Sequence, residues 1–123
     1  MMLDISGARA ELTDALTTAT GLHVHQTLPE RLAPPLIYLR EGEPFIAPEE
    51  DGPYGAYTVQ FVADIVERPA AINNAMIAAA DGHVADVLDL TNRYNVAVGG
   101  YASSNVGGQE YLIAPITITF TIS

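Results

Sequence analysis

At 123 residues, 49% of them apolar, the chain has the length of one domain and can bury roughly two-thirds of its unfolded surface in a core. It contains no cysteine, which excludes disulfide frameworks, thiolate metal sites and cysteine nucleophiles. Fifteen acids oppose five bases, all arginine, for a formal net charge of −10; phosphate affinity rests on Lys and Arg, so this balance argues against nucleic acid as a binding partner.

"DISGARAELTDALTTATG" (4–21) reads as a first helix. Asp4 or Ser6 can cap it, Ala8, Leu12, Ala15 and Leu16 recur at helical spacing, and Gly21 supplies the stop. "LHVHQTL" (22–28) alternates apolar and polar residues as a short half-buried strand does, and "PERLAPP" (29–35) is a loop stiffened by three prolines. "LIYL" (36–39) is the next strand, with "PFIAP" (44–48) extending it or forming an irregular arm. In "YTVQFVADIVE" (57–67) both alternating faces carry apolar residues, which predicts a central strand. "PAAINNAMIAAADGHVADVLDLTN" (69–92) predicts a second helix with Pro69 in its first turn. Its buried stripe is Ile72, Met76, Ala79, Ala80, His83, Val84 and Val87, and Gly82 weakens it by roughly 1 kcal/mol against alanine, inviting a kink. "YNVAVGGYA" (94–102) and "YLIAPITITFTIS" (111–123) form a hairpin across the loop "SSNVGGQE". In the last strand Leu112, Ala114, Ile116, Ile118, Phe120 and Ile122 point inward, and Thr117, Thr119 and Thr121 outward.

The expected fold is therefore a single α+β domain over 1–123. It is a two-layer sandwich in the order α-β-β-β-α-β-β, with a mostly antiparallel four- to five-stranded sheet and two helices on one face. No apolar run approaches the ~20 residues of a membrane-spanning helix. The opening "MMLDISGARA" lacks a basic segment followed by an apolar stretch, so no secretion signal is expected.

Polar constellations point away from catalysis. His23 and His25 share one face of a strand and with Asp64 could begin a metal site, but no HExxH and no ligand-spaced acid accompany them; structural histidines are the expectation. Asp64 on a central strand needs a partner, and Arg40 and Arg68 are available. Ser103 and Ser104 lie outside any G-x-S-x-G order, and a chain without lysine has no phosphate-loop lysine. The most substantial polar feature is the connection "REGEPFIAPEEDGPYG" (40–55), where Glu41, Glu43, Glu49, Glu50 and Asp51 crowd a segment broken by three prolines. As paired catalytic carboxylates they would need rigid placement across a cleft, which a Pro- and Gly-rich loop does not offer. No enzyme activity and no cofactor are expected.

Several segments together resemble one family. The opening helix running into "TGLHVHQTLPERLAPPLIYL", with its LP-x-x-x-x-PP, the acidic connection, "VQFVADIVER", the Ala-rich helix and the closing "GGQEYLIAPITITFTIS" look like tail terminator proteins of long-tailed bacteriophages, also called tail-completion or minor tail proteins. The likeness covers nearly the whole chain and rests on element order and a diffuse consensus. It implies a structural virion protein, made in the host cytoplasm and placed at the head–tail junction. Its implied partners are copies of itself in a hexameric ring, the major tail tube protein, and the head–tail connector or stopper. Genomic DNA passes through without specific binding, and no membrane is involved. The family reading makes Glu41, Glu43, Glu49, Glu50 and Asp51 a docking or lumen element. Tyr101, Tyr111, Thr117, Thr119 and Thr121 become candidates for the subunit interface, since tyrosine is favoured in interfaces and edge strands seek pairing. A head-completion or neck adaptor is the nearest alternative, and a small metal-dependent enzyme using His23, His25 and Asp64 a more distant one.

Overall fold

The computed structural model describes residues 4–27, 33–49, 55–67, 74–106 and 108–122. Asp4 opens helix α1 (Ile5–Thr20): its carboxylate accepts from the Gly7 N–H at 2.8 Å, satisfying one of the donors a helix start leaves unpaired. Gly21 closes the helix in the left-handed region, φ 71°, its N–H donating to the Thr17 carbonyl as a C-terminal glycine cap requires. Leu12, Ala15 and Leu16 form the buried stripe of α1. The strand expected over 22–28 is shorter, β1 being only Val24–His25. Strands β2 (Leu36–Pro48) and β3 (Tyr57–Val66) follow, then helix α2 (Asn74–Leu88) and a 3₁₀ turn (Asp89–Asn92). Helix α2 runs through Gly82 without a break, and Ala79, assigned to its buried stripe, is exposed. Pro69 and Ile72 lie outside the described residues.

Beyond α2 the chain forms three strands where a two-stranded hairpin is expected. Strand β4 (Asn95–Val98) is followed by β5 (Ala102–Val106) and β6 (Gln109–Ile122), so "SSNV", expected as loop, is strand. It pairs antiparallel with β6 from Ala102↔Ile113 to Val106↔Gln109, leaving a two-residue connection. Small polar residues carry no strand signal of their own; the partner strand supplies it.

Among the described residues six strands form one sheet in the order β1-β2-β3-β6-β4, with β5 also on β6. Every pairing is antiparallel except β1–β2. The α+β class and helix-on-sheet layering are as the sequence implies, with six strands rather than four or five. One face of the sheet (Ile37, Leu39, Val59, Phe61, Ala63, Ile65, Ala114, Ile116 and Ile118) packs with Leu12, Leu16, Val84, Val87 and Tyr94 in a single cluster. Both helices thus cover the same face. On the opposite face Leu36, Val66 and Tyr111 form a smaller buried cluster.

Two irregularities reset the alternation of side chains. Between Glu41↔Phe61 and Ile46↔Val59, four residues of β2 oppose a single residue of β3. Between Val98↔Ile116 and Ala102↔Ile113, Gly99, Gly100 and Tyr101 oppose two residues of β6. An odd number of extra residues flips which face the following side chains meet. This second bulge brings Tyr101 to the helix side, where it packs on Met76, Ala80 and Leu112.

Candidate functional site

The acidic connection is less of a loop than its composition suggests. Glu41 and Glu43 lie within β2, and only the residues after Pro48 connect it to β3. Glu41, at the rim of the helix-side core, accepts from Arg9 Nη2 of α1 at 3.2 Å. The Arg9 guanidinium lies over the Phe45 and Phe61 rings, 5.7 and 5.5 Å from their centroids, so the bulge that carries Phe45 is clamped to α1 by a cation–π contact and an ion pair. Glu49, the first residue past β2, accepts from the Thr58 hydroxyl at 2.5 Å and from the Thr121 hydroxyl at 3.3 Å. It thereby ties the base of the connection to β3 and β6. Glu43 is exposed, and Glu50 and Asp51 lie outside the described residues.

Asp64 has the arginine partner its position demands. Arg40 Nε donates to Asp64 Oδ2 at 2.7 Å and Arg40 Nη2 to Oδ1 at 3.3 Å, a two-pronged bridge between β2 and β3 on the helix-free face. The hydrogen bond to Asp64, ahead of the opposing effect of burial, holds the guanidinium pKa above its ordinary value. His23 and His25 share a face as expected, their ring centroids 4.4 Å apart. Burial first, and the charge of His23 second, lowers the His25 pKa. Asp64 does not join them: it sits on β3 with β2 intervening, and no group of three metal-ligating side chains occurs among the described residues.

The five residues assigned to a subunit interface do not form one patch. Tyr111 is buried against Leu36 and Val66 on the helix-free face, whereas Tyr101 lies on the helix side. Thr117 and Thr119 are half-buried and Thr121 is exposed; on β6 they share the helix-free face with Asp64's neighbours on β3.

A polar cluster that residue patterns did not reveal sits where β3 ends beneath α2. Glu67, 3% exposed, is fixed by its N–H donating to the Leu112 carbonyl. His83 Nδ1 lies 2.6 Å from Glu67 Oε1; with the carboxylate ionised, Nδ1 carries the proton and donates. Two residues before His83 the same helix also presents Asp81, whose Oδ1 accepts from the Tyr101 hydroxyl at 2.6 Å. Burial, then the Asp81 hydrogen bond, then the Asp81 and Glu67 charges push the Tyr101 pKa up to about 12. The sequence holds one signal for this cluster, an acid directly after the apolar end of the central strand, Ile65 and Val66, where it demands a partner. A carboxylate-oriented imidazole resembles half of an acid–base relay; here it joins helix to sheet. Elsewhere, a shallow groove between α1 and the 3₁₀ turn is lined by Glu11, Asp14, Thr18, Leu90 and Arg93, with Arg93 donating to Glu11 at 2.7 Å.

No protein-family model matches this chain, and no curated protein matches it.

Proposed function

We propose that this chain is a structural subunit of a long-tailed bacteriophage, a tail terminator at the head–tail junction of the virion. In this reading six copies close into a ring on the last ring of the tail tube. The ring ends polymerisation and offers its other side to the head connector, while genomic DNA passes through its centre. The family resemblance in segment order motivates the reading. The observation that carries it is the division of labour across the sheet: both helices pack on one face, while the other, from Tyr38 and Arg40 across to Thr117 and Thr119, has no helix packed on it among the described residues. Supporting it, Glu41 and Glu49, the accessible acids of the β2 arm that are described with a partner, hold structural contacts, as suits acids that shape a surface.

The charge has a role in this setting. Six copies at −10 each would carry −60, facing a duplex with about one negative charge per 1.7 Å of axis. Repulsion acts through acids within about 8 Å of the DNA at physiological salt, so acids lining a passage keep it from sticking. The test is electron microscopy of the purified chain mixed with tail tubes. Density at the head-proximal tube end alone is expected; no density there, or decoration along the tube, defeats the reading. Reversing Glu50 and Asp51 to lysine should impair tail joining or DNA transit. Glu49 is left in place because its hydrogen bonds to Thr58 and Thr121 make it structural.

A further inference from the structure

The two edges of the sheet are built differently. At one edge β1 covers only Ile37 and Tyr38 of β2. Past that point β2 carries Glu41, Glu43, Pro44 and Pro48 together with the bulge after Glu41, the devices that keep an edge from pairing with another chain. At the other edge β4 and β5 lie end to end along the side of β6 away from β3; neither strand carries a charge or a proline, and the bulge at this edge falls between them, leaving each strand regular. Tyr94–Gln109 is sixteen residues without an Asp, Glu, Lys or Arg, the longest such run in the sequence.

We propose that the β4–β5 edge is an interaction surface that pairs antiparallel with the same edge of a second copy of this chain. Val106 and Gln109 flank a two-residue connection, so they exchange hydrogen bonds across it. By alternation Ser104 and Ala102 also bond to β6, and Ser103 and Asn105 turn their backbone N–H and C=O away from it. Among the described residues these donors and acceptors have no strand beside them; the stretch is largely exposed and lies beside Val98, 38% exposed. Charge selects the occupant. Two bodies at −10 approach at least cost where neither bears charge, whereas a basic partner segment would be drawn to acids, which this edge lacks. The same strand on both sides makes the contact isologous, so it closes at two copies. The pairing belongs to the free chain and requires neither tube nor connector, so its failure leaves the tail reading to its own experiment.

Sedimentation velocity on the full chain tests it. The wild type is expected at twice its 13.1 kDa mass. Ser103→Pro deletes a donor that faces outward while leaving the β6 ladder its bonds, and should sediment as a monomer with an unchanged circular dichroism spectrum. Should proline disturb the hairpin, the Ser103→Lys/Asn105→Lys variant sets like charges across the two-fold axis and serves the same purpose. A wild type that stays monomeric up to about 100 μM, or a dimer that survives in whichever variant folds, overturns the proposal.

Discussion

His83 and Glu67 show how one buried acid constrains its neighbours. Removing the imidazole leaves a carboxylate 3% exposed without the donor 2.6 Å away. Breaking a buried pair in this way costs about 3 kcal/mol or more, and His83→Ala should lose about that much in urea denaturation. Glu67→Gln should lose less, because a neutral amide tolerates burial and still accepts from Nδ1. Tyr101 contributes on the alkaline side. Its pKa rises from the ordinary tyrosine value of about 10 to about 12 in the folded chain, so between these values the unfolded chain has released a proton that the folded chain keeps. The stabilisation is complete below pH 10 and disappears as pH climbs through 12. In Tyr101→Phe, thermal stability should be lower at neutral pH yet fall less steeply over that window than in the wild type. His25 acts in the opposite direction: its lowered pKa makes the unfolded chain the better proton binder below pH ~6.5, so its share of stability is lost on acidification, a loss that His25→Gln should reduce.

Among the elements, glycine separates two kinds of constraint. Gly82 sits inside α2 with nothing within 4 Å of the position a Cβ would take. Gly82→Ala therefore gains helix propensity without a clash and should stabilise by about 1 kcal/mol. Gly42 lies in the β2 bulge, where a Cβ would sit 2.6 Å from Gln60 Cγ and 2.9 Å from the Gln60 carbonyl oxygen. Backbone cannot retreat as a side chain can, so Gly42→Ala should destabilise by about 1–3 kcal/mol. Chemical denaturation of the two variants side by side checks both signs. The contrast also marks what the sequence could disclose. Helix α1 was legible because Asp4 and Gly21 are local signals, and β6 because its threonines alternate with Ile and Phe. The central place of β3 followed from apolar residues on both faces. Strand β5 was hidden because Ala102–Val106 has no alternation of its own, and the bulges because extra residues are visible only against a paired strand. The Glu67–His83 contact joins residues that only the packing of α2 on the sheet brings together. The acidic connection was recognised by composition, yet the partners that fix Glu41 and Glu49, on α1, β3 and β6, come from the tertiary fold.

At the scale of the whole molecule, net charge competes with the core. Three of the five arginines are described, and each is paired: Arg9 with Glu41, Arg40 with Asp64 and Arg93 with Glu11. All three pairs are partly exposed, so each contributes about 0–1 kcal/mol and is weakened by salt. Against them stands the mutual repulsion of a −10 chain, which favours expansion and is likewise screened. The longer-ranged term responds more to salt. The screening length shrinks from about 30 Å at 0.01 M to about 8 Å at 0.15 M, cutting repulsion between acids on opposite sides of the domain while leaving contacts near 3 Å largely intact. The melting temperature should therefore rise with sodium chloride over this range. Measured on the monomeric Ser103→Pro variant, the rise reports on the fold and not on association. A flat or falling melting temperature would mean that the three arginine pairs, and not the summed acidic field, dominate the electrostatics of the folded chain.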